Sequence, residues 1–215
     1  MVQIRLDALA HGGDAIGRLE GKAVFVPGGI PGELVEVEIT EERKRFSQAR
    51  LLRVLEPSAD RVEPPCSYYG VCGGCQLQHF SYPAQLTAKH ELVTEQFARI
   101  GKIEDALVHP VLGMDNPWAY RNHVQLSVTA EGALGYQKRQ SNEVVAVATC
   151  PLLSPLLAEL WEELEVDPAA VARVILRAGL NTGEQMLVFE GVDEELPEFE
   201  LDVPLSVVWI TPAGE

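Results

Sequence analysis

The stretch Ala23-Val24-Phe25-Val26-Pro27-Gly28-Gly29-Ile30-Pro31-Gly32-Glu33-Leu34-Val35-Glu36-Val37-Glu38-Ile39-Thr40 decides the fold of the first part of the chain. Residues 23–26 read as a short buried strand, and residues 27–32 as a dense turn cluster that ends it. Val35, Val37 and Ile39 then alternate with Glu36, Glu38 and Thr40, the period of two that keeps one strand face wet. Upstream, Val2, Ile4 and Leu6 alternate with Gln3, Arg5 and Asp7 in the same way. Downstream, a last strand runs over residues 46–55. Residues 12–17, Gly-Gly-Asp-Ala-Ile-Gly, read as a turn between strands. Four or five short strands with Gly/Pro turns and no helix predict a five-stranded, OB-like β-barrel over residues 1–57. An SH3-like barrel or a plain structural cap fits the same pattern.

Beyond the barrel the pattern changes. Residues 58–82 lack periodicity and hold three cysteines, which predicts an irregular loop. A helix is predicted over 84–100, with Leu86, Val93, Phe97 and Ile100 on one face and Gly101 as its stop. Strands follow at 122–129, 133–138 and 143–148. Ser154 and Pro155 open a second helix, with Leu156, Leu157, Leu160, Trp161 and Leu164 on its apolar face. Residues 173–178 and 185–189 predict a hairpin. Residues 205–211 predict a strand and 212–215 the turn after it, so the chain reads as the front portion of a longer protein. The expected class is mainly β with α: the barrel at 1–57, then an α+β central domain at 58–215 that is incomplete at its C-terminus.

The chain has 215 residues, 47% apolar and 23% charged, which excludes disorder, collagen and a disulfide-dense miniprotein. Its longest strictly apolar run, residues 144–148, is far below the roughly 20 residues a bilayer needs. The N-terminus lacks a signal core, so a cytoplasmic protein is expected. The net charge of −15 argues against nucleic acid until it is divided along the chain. Residues 1–57 carry −1, residues 58–150 carry −2 and residues 151–215 carry −12. The acidity belongs to the last third, and the first two thirds can present a basic face.

All four cysteines, Cys66, Cys72, Cys75 and Cys150, suit one metal site. Gly73 and Gly74 let the backbone bend between Cys72 and Cys75 and aim N–H groups at sulfur. Four thiolates fit either a structural zinc or a [4Fe–4S] cluster; three ligands in one loop and a fourth from elsewhere favour the cluster.

The run Cys72-Gly73-Gly74-Cys75-Gln76-Leu77-Gln78-His79 resembles the iron–sulfur signature of the RNA uracil-5-methyltransferase family, the RumA/TrmA type. Phe25-Val26-Pro27-Gly28 and Pro31-Gly32-Glu33 resemble its TRAM domain, an RNA-binding barrel. Arg61-Val62-Glu63-Pro64-Pro65-Cys66 resembles the link into the cluster loop, while Trp118–Asn122 and Gly135-Tyr136-Gln137 resemble the central domain. The resemblance implies methyl transfer from S-adenosylmethionine to a uridine C5 in ribosomal or transfer RNA. That chemistry needs a thiolate at C6 and a base for the C5 proton. Neither a free cysteine nor a glycine fingerprint for S-adenosylmethionine is found in this sequence, so no catalytic or cofactor-binding residue is assigned. The catalytic domain and its S-adenosylmethionine are expected after the central domain, and this chain alone is expected to be inactive.

Arg121, Lys138 and Arg139 are the candidate RNA contacts. Arg173 and Arg177, in the acidic third, are expected to take no part. His79 is a candidate hydrogen-bond partner near the cluster, and His11, His90 and His109 are read as non-functional. Tyr68, Tyr69, Phe80 and Tyr82 either stack on bases or shield the cluster. The expected partners are RNA and a methyltransferase domain, with no membrane, and the chain is expected to be monomeric. A stand-alone RNA-binding module with a structural zinc held by the four cysteines, or a small iron–sulfur electron carrier, are the alternatives.

Overall fold

Alternation places Ile4 and Leu6 of β1 (Val2–Leu9) on its inner face, and an irregularity between Leu6 and Ala8 shifts the register before buried Leu9. β1 pairs antiparallel with β2 (Ala15–Leu19), which pairs with β3 (Lys22–Val26). β4 (Leu34–Glu42) and β5 (Phe46–Glu56) complete the set. The strand order β1-β2-β3-β5-β4 closes into a barrel, with β3 and β5 parallel and the other pairs antiparallel. Ile4, Leu6, Ala15, Val24, Val26, Val35, Val37 and Ala49 form its buried core. Each of the larger side chains contributes about 1.5–3 kcal/mol by leaving water. The barrel is the five-stranded one expected.

One part of the local reading is corrected. Residues 12–17 are not all turn: Ala15-Ile16-Gly17 opens β2. Gly17 is there because a Cβ would stand 2.6 Å from the Arg5 carbonyl oxygen across the β1–β2 pair. Two glycines and an aspartate hid a strand whose glycine serves close backbone approach.

The computed structural model describes residues 1–192, 194 and 205–214. Contacts divide the chain into one unit of Met1–Gly70 and Cys75–Met114, and a second of Val71–Gly74 and Asp115–Glu215. The barrel ends at Glu56, yet α1 (Tyr82–Arg99) belongs to the same packing unit. Leu9, Ile30, Phe80 and Ala88 make a second small core there, with Leu77 and Ala84 against it. The Gln85 amide donates to the Leu77 and Phe80 carbonyls at 3.0 and 2.9 Å. The inward side of α1 is therefore the line through Ala84 and Ala88. Val93, Phe97 and Ile100, expected on the buried face, are exposed. Small residues, which periodicity of large apolar side chains does not count, are what face the core here.

The second unit is a six-stranded sheet in the order β11-β10-β9-β6-β7-β8. Its strands are β6 (His123–Val128), β7 (Leu134–Gln137), β8 (Val144–Ala146), β9 (Val171–Ala178), β10 (Gln185–Gly191) and β11 (Ser206–Ile210). Leu126 registers with Val174 and Val124 with Leu176, and Leu187 and Phe189 continue that buried face. The face is covered from α2 (Pro155–Glu163), whose Leu157, Leu160 and Trp161 are buried. Ser154 occupies the N-cap position as predicted, but its hydroxyl makes no cap bond and is buried without a partner. The opposite face carries the exposed side chains of His123, Gln125, Arg177 and Met186. β11 runs parallel to β10. Glu215, assigned to the last turn, and most of the acidic run at 193–204 lie outside the described residues.

Candidate functional site

The cysteine-rich segment is tied down largely by polar contacts, with Leu77 and Phe80 as its share of a small core. In the first unit, the Arg61 guanidinium donates to both oxygens of Glu33 at 2.6 and 2.7 Å, and to the Gly28 carbonyl at 2.8 Å. Glu33 is fully buried and also accepts from the Ile30 and Ser58 N–H groups at 3.0 and 3.2 Å. Burial opposes its ionisation, but Arg61 and these N–H donors outweigh burial and hold the carboxyl below its ordinary range. This pair anchors the chain leaving the barrel to the 27–33 turn.

His79 is a second tie. It is buried, with Nε2 at 3.2 Å from the Gly29 carbonyl and Nδ1 at 2.5 Å from the Tyr69 hydroxyl. The Tyr69 hydroxyl also lies 2.8 Å from the Gln76 carbonyl, and the Tyr69 N–H donates to the Cys66 carbonyl at 3.0 Å. Burial pushes the His79 pKa down, which favours the neutral ring. His79 thus braces the segment between Cys66 and the barrel turn. Phe80 is part of a core, and the Tyr82 hydroxyl accepts from the Met114 N–H at 2.8 Å. Tyr69, Phe80 and Tyr82 all have structural work in this unit. His90 lies 3.1 Å from the Val108 carbonyl and has the same kind of role.

In the second unit, Cys72 bridges to Lys138 and the Gly73 N–H donates to the Gln137 carbonyl at 3.0 Å. A Cβ on Gly73 would stand 2.8 Å from that same oxygen, so only glycine fits against β7. The Gly74 N–H points at Cys72 Sγ at 3.4 Å, the contact that stabilises a thiolate. Tyr136 brings in the distant cysteine. Its buried hydroxyl has its pKa raised, first by burial, then by the neighbouring Cys150 and, more weakly, Cys72. Cys72 and Cys150 therefore both lie within electrostatic reach of one hydroxyl, although far apart in the chain.

All four cysteines are half-buried and free of disulfides. Cys66 and Cys75 belong to the first unit, Cys72 and Cys150 to the second. Among the described residues, neither unit by itself gathers three or more His, Cys, Asp or Glu side chains into a metal-binding group. The donor chemistry fits a soft metal or an iron–sulfur cluster: thiolates, with glycine N–H groups beside one of them.

The candidate RNA contacts separate. Lys138 and Arg139 line one groove on the sheet, with Lys138 paired to Glu143. Arg121 is held by main-chain bonds to Leu152 and Ser154 at 2.7 and 2.8 Å, and its charge acts on Tyr136. The basic run at 43–45 sits between β4 and β5, where Arg43 pairs with Glu41 at 2.7 Å and covers the Phe46 ring. Sequence reasoning missed the Glu33–Arg61 pair and the position of Tyr136. Both residues of the pair sit in motifs quoted above, but no local signal joins them.

Residues 2–52, which form most of the closed five-stranded barrel, match the TRAM domain family. The chain is 36% identical over 214 residues to an uncharacterized RNA methyltransferase of Halalkalibacterium halodurans, covering 92% of this chain and 47% of that one. It is 35% identical over 201 residues to an uncharacterized RNA methyltransferase of Thermosynechococcus vestitus, covering 86% and 45%. The fold is similar to that of Pyrococcus abyssi tRNA (uracil-54, C5)-methyltransferase in complex with S-adenosyl-L-homocysteine. The TM-score is 0.69 at 21% identity, covering 97% of this chain and 51% of that one. The chain spans about half the length of the curated relatives it matches. It is thus similar over nearly its whole length to RNA methyltransferases, and it carries a match to the TRAM domain at residues 2–52.

Proposed function

We propose that this chain is the RNA-recognising portion of an S-adenosylmethionine-dependent RNA (uracil-5-)-methyltransferase acting on ribosomal or transfer RNA. The observation that carries it is the TRAM barrel joined to a cysteine-rich segment within a chain similar to RNA methyltransferases over nearly its whole length. The barrel at 1–57 and the central domain at 58–215 recognise RNA, with Arg121, Lys138 and Arg139 as phosphate contacts. Methyl transfer and S-adenosylmethionine binding belong to a methyltransferase domain that these residues do not supply. The protein works in the cytoplasm as a monomer. No helix among the described residues is long and apolar enough to cross a membrane.

Cys66, Cys72, Cys75 and Cys150 hold a [4Fe–4S] cluster in this reading. The spacing of the four and the Gly74 N–H at Cys72 Sγ support it. The cluster supplies a structural clamp. The chain's own residues do the rest: Arg61–Glu33 and His79 hold the segment to the barrel, and Gly73 sets Cys72 against β7.

The test is anaerobic purification of the chain with iron and sulfide analysis, alongside RNA binding. Four iron and four sulfide per chain with salt-dependent RNA binding are expected. One zinc with RNA binding would favour the zinc-bearing RNA module, and a cluster without RNA binding the electron carrier.

A further inference from the structure

Basic residues are scarce in the second unit. Residues 71–74 and 115–215 carry seventeen carboxylates but only five cations: Arg121, Lys138, Arg139, Arg173 and Arg177. Three of the five, Lys138, Arg139 and Arg173, line one groove of about 420 Å³. No Asp or Glu is found among its described lining residues, although carboxylates outnumber cations in the unit by more than three to one. Gln125, Gln137 and Gln140 add amide donors and acceptors along the same walls.

Arg173 reaches this groove because of topology. β9 lies between β6 and β10, and Arg173 registers with Ser127 on one side and Glu190 on the other. Its guanidinium is aimed by Glu190 at 3.1 Å and by the Gln125 amide, whose oxygen accepts from Nη1 at 2.8 Å and Nε at 3.1 Å once the amide is turned so that its oxygen faces these donors. Gly73 and Gly135 line the groove without side chains; a Cβ on Gly135 would fall 2.0 Å from the Val145 carbonyl oxygen. Tyr136 is the one aromatic residue among the described lining, and its ring is engaged edge-on by Trp161 at 6.0 Å.

We infer that this groove docks the sugar–phosphate backbone of single-stranded RNA, with Arg173, Lys138 and Arg139 as its phosphate contacts and Gln125 as the residue that positions Arg173. The inference rests on the RNA-binding reading above and reverses the expectation that Arg173 is a bystander. Cations and amides without a free stacking platform suit backbone contact, which positions RNA without reading its sequence.

The test is fluorescence anisotropy of a labelled oligouridylate against the whole chain, titrated with KCl. Arg173→Ala and Arg139→Ala should each weaken binding and flatten the slope of log K on log salt by about 0.7. Arg173→Lys should keep most of the slope, and Glu190→Gln should tighten binding. Arg177→Ala, which lines a neighbouring cleft, should leave the slope unchanged. Arg139 stands on a turn, so its variant stays informative even if Arg173→Ala misfolds. Failure of the wild type to bind would overturn the RNA reading and the groove together. Binding with an unchanged slope in folded Arg173→Ala and Arg139→Ala would overturn the groove alone.

Discussion

Arg61 lies 28 residues beyond Glu33 and closes a two-toothed pair on it, with both carboxylate oxygens engaged inside the first unit. Glu33 has no exposure to water and Arg61 keeps about a quarter of its side chain accessible. Such a pair fixes where the chain goes after the barrel, because a buried carboxylate accepts few other partners.

Breaking it from one side should be costly. Arg61→Ala leaves Glu33 buried and uncompensated, and should destabilise the first unit by about 3–5 kcal/mol in urea unfolding. Glu33→Gln should cost less, since a neutral amide needs no counter-charge. Equal losses for the two would show that the charge of Glu33 is immaterial.

Stability should fall in acid in two stages. His79 has a lowered pKa in the folded chain, so the unfolded state binds more protons as pH drops through its ordinary value of about 6.5. Glu33 also has a lowered folded pKa, so its contribution is present above about pH 4.5 and is lost as pH falls further through the folded value. Melting curves across pH 3–8 should show both stages, and His79→Gln should remove only the upper one.

Gly17→Ala should destabilise the barrel by about 1–3 kcal/mol, because the new methyl meets the Arg5 carbonyl oxygen at 2.6 Å. Gly21→Ala offers the contrast: its Cβ meets nothing within 4 Å, and the cost there is only the positive φ of 82°. Thermal melts of the two variants check this, and a larger loss at Gly21 would contradict it.

Each cysteine replaced by serine should abolish the iron and sulfide content of the anaerobically purified chain. The 58–82 segment should become open to proteolysis at the same time, since little core holds it. Retention of the full cluster in Cys150→Ser would remove that residue from the ligand set.

Incubated with S-adenosylmethionine and uridine-containing RNA, the chain alone should form no 5-methyluridine and retain no S-adenosylmethionine in equilibrium dialysis. Product formation would reveal an active site within these residues.

Much of this protein was legible in local pattern. Alternation at Val35, Val37 and Ile39, turn formers at 27–32, and Ser154-Pro155 before an apolar helical face each depend on neighbours within a few residues, and the strands and helix stand where they predict. Tertiary structure decided what local pattern has no means of encoding. Small residues Ala84 and Ala88 turned α1 inward in place of Val93 and Phe97, because close packing selects volume against a neighbour that is distant in sequence. Glu33 met Arg61 only when strands and loops remote in the chain were paired. Arg173 sits in the acidic third by chain position, yet β9 carries it into a groove with Lys138 and Arg139. Charge summed along a chain is one-dimensional, whereas the field a ligand meets is set by which strands lie side by side.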